Sequence, residues 1–372
     1  MSSEEGEDVL PKDDEILKTK KDKYKVITLL GKGGYGAVFS VERQSDKMRF
    51  AIKCEKSSAV KKVLLMDCNV LKGASQIKSK HFCTVLDRAA VKDRFNFIVM
   101  KLIGKNLWDL RQDRPDGRFN LNTALKTASQ CLVSIEHLHR FGYLHRDIKP
   151  GNFAAGQKET NEHHIIFMLD FGLCREFVNR KDGKDIRTPR TSAPFRGTTR
   201  YAPLSAMQQI DQARKDDIEG WLYMVVEWTS GGLPWRKLKA QDREKVLAFK
   251  QEIRNPAKPE ALDDFFYNCP KKEFSRIMKY VDGLNYYSLP DYQFIYFCIQ
   301  HAASANGCKD SDPLDWDPDH PYSGPIETPG DGKVIDLEVE AGGDDFSKRK
   351  DSTKKDKRKK NEKDLPEEKG RK

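Results

Sequence analysis

Features that define several protein classes are missing from this 372-residue sequence. Its richest apolar run, residues 221–226, stops at Glu227 and is far shorter than the roughly 20 residues that a membrane span needs. The N-terminus is rich in Asp and Glu and lacks the basic start and apolar stretch of a secretion signal. We therefore expect no membrane partner and a cytoplasmic or nuclear location.

The eight cysteines are scattered, with no C-x-x-C pair and no other paired spacing. Disulfide frameworks and structural zinc sites both depend on regular cysteine spacings. The sequence therefore predicts reduced thiols, without a disulfide framework or a zinc site.

Charge is abundant and unevenly distributed. The net charge of the chain is +10, yet residues 16–316 alone carry +17 because residues 1–15 and 317–346 are acidic. Residues 347–372 are again rich in Lys and Arg. A body this basic attracts acidic or phosphorylated partners through its summed field; a basic surface that serves only solubility is the alternative.

The most informative stretch is residues 145–152 (HRDIKPGN), which an apolar run, residues 165–169, connects to residues 170–172 (DFG). H-R-D-x-x-x-x-N followed by D-F-G is the motif pair of protein kinases. We predict that Asp147 orients a substrate hydroxyl and accepts its proton, and that Lys149 stabilises the transferred phosphoryl group. Asn152 and Asp170 offer the oxygen ligands that Mg²⁺ prefers.

Residues 31–36 (GKGGYG) separate two strand-like runs, residues 26–30 and 37–41. A G-x-G-x-x-G sequence also opens dinucleotide-binding helices, but β-branched and aromatic residues follow here, so we predict a hairpin. We expect its backbone N–H groups to cover the phosphates of ATP; a plain hairpin turn has the same pattern. The predicted ATP contacts on this hairpin are Leu30, Gly31, Lys32, Gly33, Gly34, Gly36 and Val38.

Lys53 ends the next predicted strand, where protein kinases carry the lysine that binds the α- and β-phosphates. Ala51 is small enough to admit a flat ring, although a strand lysine is usually a solvated charge. A helix predicted over residues 58–72 places Asp67 on its apolar face, where an unpaired acid is unfavourable. We predict a Lys53–Asp67 ion pair; an acid at the rim of the helix is the alternative.

Strand character returns in residues 82–86 and 95–102 and then stops, which predicts a hinge between two lobes. The backbone of Lys101 and Ile103 would bind the adenine edge there; an ordinary edge strand is the alternative.

Beyond the hinge the pattern is mainly helical. Residues 197–202 would form the floor for a peptide, with Thr198 bridging the carboxylate and the lysine of the catalytic motif. A largely apolar helix is predicted from residue 215 to Trp228. Asp217 near its start would cap the amides of the catalytic loop, or serve as a simple N-cap.

These motifs occur in the order typical of eukaryotic protein kinases, and the chain resembles the casein kinase 1 group and, within it, the tau-tubulin kinases. The stretches that carry the resemblance are Gly31–Phe39, Asp93–Leu110, Leu144–Phe153, Met168–Leu173, Phe195–Ala202, Asp216–Trp228, Leu233–Lys239, Leu289–Gln293 and Asp315-Trp316. The resemblance implies an α+β bilobal fold, with a β-rich small lobe over about residues 21–101 and a helical large lobe over about residues 104–316. Residues 1–20 and 317–372, which are polar and charged, are predicted to be disordered.

The resemblance also implies transfer of the γ-phosphate of Mg²⁺-ATP to Ser or Thr of acidic or phosphorylated proteins. Arg200, with Lys239 or Arg243, would line an anion pocket for such substrates. Tubulin and microtubule-associated proteins are the candidate partners. We expect a monomer, without nucleic acid as a partner.

Two residues depart from the common kinase pattern. Asp67 stands where a glutamate is usual, and Ala202-Pro203-Leu204 lacks the acid of A-P-E, as the casein kinase 1 group generally does. The first departure leaves a pseudokinase scaffold as an alternative. A second alternative is that the basic residues 348–360 bind an acidic surface, such as that of microtubules, or act as a nuclear address.

Overall fold

A computed structural model of the chain describes residues 9–33, 36–180 and 185–336. A six-stranded antiparallel sheet with the order β1-β2-β3-β4-β6-β5 forms the small lobe. Its strands are β1 Ile16–Lys18, β2 Lys23–Gly33, β3 Gly36–Arg43, β4 Arg49–Lys56, β5 Val85–Val91 and β6 Phe95–Lys101. The predicted glycine hairpin joins β2 and β3, and alternate residues of the central strands, such as Val26, Val41 and Ile52, form the core.

The helix of the small lobe, α1, spans Leu64–Gln76 and begins six residues later than predicted. The buried carboxylate of Glu55 accepts a hydrogen bond from the backbone N–H of Leu64 at 2.9 Å, and an acid at this end of a helix is favoured by the helix dipole. The strand predicted at residues 82–86 is also displaced, to β5. Phe82 instead packs between Phe141 and Phe171.

The large lobe is mainly helical. Its helices are α2 Leu107–Gln112, α3 Leu121–Arg140, α4 Leu204–Met207, α5 Arg214–Ser230, α6 Arg243–Glu252, α7 Pro259–Phe265, α8 Lys271–Asp282 and α9 Tyr292–Ala305. The buried helices α3 and α5 pack together at its centre, where Trp221 Nε1 donates to the carbonyl oxygen of Ala128 at 3.0 Å. The predicted bilobal α+β architecture is confirmed.

Three short strand pairs support the loops between these helices. They are formed by β7 Tyr143–Leu144 with β10 Arg175–Glu176, by β8 Phe153–Ala155 with β9 Ile166–Met168, and by β11 Val178–Asn179 with β12 Asp185–Ile186. The 145–152 motif lies between β7 and β8, and Asp170 follows β9 by two residues. Local pairing therefore fixes both ends of the catalytic motif.

The prediction that residues 1–20 are disordered is wrong for the part that the structure describes. β1 pairs with β2, and Leu10 and Leu17 are buried in the small-lobe core. Arg94 donates to both carboxylate oxygens of Glu15, at 2.6 and 3.1 Å. Strand pairing, two buried leucines and an ion pair together attach this acidic segment to the sheet.

The prediction that residues 317–372 are disordered is wrong for residues 317–336, which we call the C-terminal strap. Asp317 is buried, and the backbone N–H of Ile335 donates to the carbonyl oxygen of Arg140 at 3.0 Å. The strap binds chiefly through polar and backbone groups, so its composition resembles that of a disordered tail. The basic tail, residues 347–372, lies outside the described residues.

None of the helices in residues 9–33, 36–180 and 185–336 has the length and apolar character that a bilayer span needs.

We predict that Leu17→Ala lowers the free energy of unfolding by about 2–5 kcal/mol, because this side chain is only 2% exposed in the small-lobe core. Its neighbour Ile16 is 51% exposed, so Ile16→Ala is the matched control and should change stability by about 0.5 kcal/mol or less. Urea unfolding measures both values. Equal effects of the two substitutions would contradict the packing of residues 9–20 on the sheet.

Candidate active site

A cleft of about 710 Å³ lies between the sheet and the large lobe. The ATP contacts predicted from the sequence line it wherever the structure describes them: Leu30, Gly31, Lys32, Gly33, Gly36, Val38, Ala51, Lys53, Lys101 and Ile103. Gly34 lies outside the described residues. Cys83 and Met168 also line the cleft and were not predicted, because an apolar residue that faces a cleft has the same sequence pattern as one in the core.

Glycine is required at position 36 by packing between strands. A Cβ added there would lie 1.8 Å from the carbonyl oxygen of Cys54 on β4. The hairpin therefore approaches its neighbouring strand at a distance that only glycine permits.

The ammonium group of Lys53 lies between two carboxylates. Its Nζ is 2.9 Å from both oxygens of Asp67 and 3.1 Å from Oδ1 of Asp170. Burial lowers the pKa of Lys53, but the charges of Asp67 and Asp170 outweigh burial and raise it, so the group stays protonated. The predicted Lys53–Asp67 pair is present, and the shorter aspartate side chain makes full contact.

Asp67 has a second contact that was not predicted. Its Oδ1 accepts a hydrogen bond from the backbone N–H of Phe171 at 3.2 Å. Asp67 therefore holds Lys53 and the residue after Asp170 at the same time.

Asp170 has a left-handed backbone conformation, with φ of 58°, which is strained for a residue other than glycine. Partial loss of hydration raises the pKa of its carboxyl group, but the charge of Lys53 outweighs this and lowers the pKa, so the carboxylate is ionised. Its side chain is 57% exposed and lines the cleft.

The catalytic loop brings Asp147, Lys149, Asn152 and Thr198 together. Lys149 Nζ donates to Asp147 Oδ2 at 2.7 Å, and Thr198 Oγ1 donates to Asp147 Oδ1 at 2.8 Å. Lys149 is also 3.3 Å from Thr198 Oγ1, so the predicted bridge is formed. Asn152 Nδ2 donates to the backbone oxygen of Asp147 at 2.8 Å.

The residues predicted to bind Mg²⁺ fit this ion. Because Nδ2 of Asn152 is used by Asp147, its Oδ1 is the amide atom able to coordinate a metal. Asp170 adds an ionised carboxylate in the same cleft. An amide oxygen and a carboxylate are the hard ligands that Mg²⁺ prefers.

Asp217 caps the catalytic loop from inside the large lobe. Its carboxylate accepts from the backbone N–H groups of His145 and Arg146 at 2.7 and 2.8 Å. The alternative of a simple N-cap is wrong, because Ala213 is the N-cap of α5 and Asp216 Oδ2 accepts from its N–H at 2.6 Å.

The floor at residues 197–202 is held from beneath. The fully buried Lys250 donates to the carbonyl oxygens of Thr199 and Ala202 at 3.2 and 2.6 Å. Burial lowers the pKa of Lys250 to about 7. Trp235 Nε1 donates to the carbonyl oxygen of Arg200 at 2.8 Å. These supports were not predicted, because each resembles an ordinary helix or core residue in sequence.

The segment Ala202-Pro203-Leu204, which lacks the acid of A-P-E, is held by an acid from α5. Glu219 Oε1 accepts from the backbone N–H of Leu204 at 3.1 Å and from Arg254 Nη2 at 3.2 Å. The segment after the floor is therefore tied to a buried ion pair.

Of the two cations predicted as alternatives beside Arg200 in an anion pocket, Lys239 shares its groove and Arg243 does not. Arg200 and Lys239 line one groove, whereas Arg243 lines another and lies over the ring of Phe195 at 4.8 Å. Arg200 Nη1 is 3.1 Å from Oε1 of the buried Glu227. Because a buried carboxylate needs a counter-charge, Arg200 is used within the protein, and Lys239 is the exposed cation of its groove.

The protein kinase domain family matches residues 24–281 of the sequence. The chain belongs to this family. The match includes the cleft, the catalytic loop and the floor described above.

Individual relatives place the chain among serine/threonine protein kinases. It is 35% identical to a probable serine/threonine-protein kinase of Dictyostelium discoideum over 297 residues. This aligned region is 80% of the chain and 57% of the relative's length. It is 32% identical to the serine/threonine-protein kinase spe-6 of Caenorhabditis elegans, over 79% of the chain and 75% of the relative. A probable casein kinase I homolog of Encephalitozoon cuniculi is 28% identical over 85% of the chain and 97% of its own length.

We predict that Asp67→Asn lowers kcat/KM for ATP by about ten- to 150-fold, since a hydrogen bond to a charged group contributes about 1.5–3 kcal/mol. The amide keeps the shape of the side chain but removes the charge beside Lys53. Asp93→Asn is the control, because Asp93 is exposed on the turn between β5 and β6 and its φ of 61° suits asparagine. Steady-state phosphorylation rates measure both, and wild-type efficiency in the Asp67 variant would contradict the role of the pair.

Proposed function

We propose that the chain transfers the γ-phosphate of Mg²⁺-ATP to serine or threonine hydroxyls of acidic proteins. The observation that carries the proposal is the group formed by Asp147, Lys149 and Thr198. Asp147 is hydrogen-bonded to Asn152, which lines the same cleft as Asp170.

The contacts of each side chain support a distinct role. The carboxyl group of Asp147 accepts hydrogen bonds from Lys149 and Thr198 and orients the incoming hydroxyl, whose proton it accepts. Lys149 lies 2.7 Å from it and offsets charge on the phosphoryl group. Lys53 holds the α- and β-phosphates, and the hairpin between β2 and β3 covers them. Asn152 and Asp170 would hold Mg²⁺, which would supply further positive charge at the phosphates.

The formed Lys53–Asp67 pair favours catalysis over the pseudokinase alternative. That alternative rested on the short side chain at position 67, and the distance of 2.9 Å removes the geometric objection.

We further propose that the substrates belong to those of the casein kinase 1 group, with acidic residues near the target, and that the tau-tubulin kinases are the nearest subgroup. The match to a casein kinase I homolog supports the first part, and the motifs around residues 93–110 and 233–239 support the second. Tubulin and microtubule-associated proteins are then candidate substrates. The exposed Lys239 and Arg243 flank the floor and provide positive charge for the acidic residues.

We predict that Asp147→Asn lowers kcat by about 10²–10⁴-fold, the usual contribution of a positioned acid–base group. Binding of Mg²⁺-ATP should persist, because Lys53 and Asp170 are unchanged. Transfer of ³²P to an acidic peptide and nucleotide binding by calorimetry measure the two properties. Wild-type turnover in this variant would refute the proposed base.

Lys239→Met and Arg243→Met together should raise KM for an acidic peptide several-fold and leave KM for ATP unchanged. The reason is that each exposed ion pair with the peptide contributes about 0.2–1 kcal/mol of binding free energy. Lys237→Met is the matched control, since Lys237 is exposed nearby and is not part of either groove. For a peptide whose acidic residues are replaced by Gln and Asn, KM should be the same in the double variant and in the control. An equal KM for both peptides in the wild-type protein would refute acidic selection.

A further inference from the structure

The C-terminal strap begins at a hydrogen-bonded anchor. The carboxylate of Asp317 accepts from Nε2 of His163 and His164 at 2.9 and 3.0 Å, and from Nδ1 of His320 at 2.9 Å. Lys158 Nζ adds a fourth contact at 3.2 Å. Burial raises the pKa of Asp317, but these donors outweigh it and lower the pKa, so a single ionised side chain joins the strap to the segment before β9.

The same residue types form zinc sites, and the ligand atoms of His163, His164 and Asp317 lie within 4.8 Å of one another. A histidine binds zinc through a ring nitrogen that carries no proton, and it donates the proton of its other ring nitrogen to an acceptor. Here Nδ1 of His164 accepts from the backbone N–H of Ser323 at 2.9 Å, and Nδ1 of His163 is buried without a hydrogen-bond partner among the described residues. Both rings therefore carry their proton on Nε2, and the cluster is an anchor rather than a metal site.

The other end of the strap is attached to α3 near the catalytic loop. The backbone N–H of Gly332 donates to Oε1 of the buried Glu136 at 3.1 Å, and that of Ile335 donates to the carbonyl oxygen of Arg140 at 3.0 Å. Val334 packs on the cluster that contains Leu144, the residue before the catalytic loop.

Gly332 has a φ of +69°, and a Cβ added there would lie 2.4 Å from Cε2 of Tyr292. The backbone of the strap is thus in close contact with this buried ring. Any side chain at position 332 would displace Tyr292.

Tyr292 is connected to the catalytic loop through two further residues. Its hydroxyl group lies 2.6 Å from His139 Nδ1, and His139 Nε2 lies 2.9 Å from Asp217 Oδ2. The carboxylate can only accept, so Nε2 carries the proton and Nδ1 accepts from the hydroxyl of Tyr292. Asp217 in turn holds the amides of His145 and Arg146.

We propose that the C-terminal strap positions the catalytic loop, through contact of Gly332 with Tyr292 and the hydrogen bonds that lead from Tyr292 to Asp217. The effect on rate rests on the proposed phosphoryl transfer, whereas the effect on the loop does not. The strap is thus a positioning element of the active site.

Gly332→Ala in the full-length protein tests this inference. We expect kcat to fall between about tenfold and a hundredfold, as small misplacements of catalytic groups do, with KM for ATP unchanged. In hydrogen exchange, the amides of His145 and Arg146 should exchange faster, because Asp217 protects them less well.

Gly307→Ala is the matched control. Gly307 has a φ of +70°, and a Cβ added there meets no described atom within 4 Å, so the variant carries the same backbone strain without a contact to Tyr292. The proposal would be overturned if Gly332→Ala had the same kcat as this control and the same exchange rates at residues 145 and 146.

Tyr292→Phe provides an independent test if Gly332→Ala does not fold, as judged by thermal unfolding. It removes only the hydroxyl that binds His139, so the same faster exchange and lower kcat are expected, and wild-type values would overturn the proposal.

If both single variants fold, the kcat of the double variant should be no lower than that of the slower single variant. A kcat lowered by the product of the two single effects would show that they act separately and would contradict the connection. Lack of transferase activity in the wild-type protein would refute the proposed function and leave the exchange result to decide this inference.

Discussion

The position of Lys53 between Asp67 and Asp170 is the interaction on which the active site depends. One carboxylate comes from the helix of the small lobe and the other from the loop after β9 in the large lobe. A largely buried ammonium group is stable only while its counter-charges are present. Removing one partner of such a pair typically lowers the free energy of unfolding by about 3–5 kcal/mol. The sheet, α1 and the metal-binding aspartate are therefore held in one arrangement.

Below this contact, α5 acts as a platform. Four of its acids are buried, and each binds a different part of the large lobe. Asp216 binds the N-cap residue, Asp217 the amides of the catalytic loop, and Glu219 the segment after the floor. Glu227 binds the side chains of Arg200 and Tyr201. Buried carboxylates are tolerated because every one of them receives charged or backbone donors. The same requirement explains the ion pair between Arg200 and Glu227.

Much of the fold and of the site was predictable, because motif spacing reflects chemistry that few other arrangements satisfy. The glycine hairpin, α5, the Lys53–Asp67 pair and the Thr198 bridge were all identified from sequence. The displaced start of α1 was missed, since the cap comes from Glu55 on a strand and is not adjacent in sequence. The role of Glu219 was missed for the same reason.

The two attached terminal segments escaped prediction for a different reason. Residues 9–20 are bound by Leu10, Leu17 and Glu15, and the strap by Asp317 and by backbone N–H groups. Composition averages over a segment and so conceals a few well-placed contacts. A polar segment that binds through its backbone has no hydrophobic period to detect.

The short strand β1 has a consequence for how the protein behaves in solution. It pairs with only Lys23–Lys25 of β2 and lies at the edge of the sheet. A short edge strand flanked by lysines is a poor template for pairing with a strand of another molecule. A chain shortened to begin at residue 21 would expose the edge of β2 and the apolar surface beneath Leu17, and would thereby gain a tendency to self-associate.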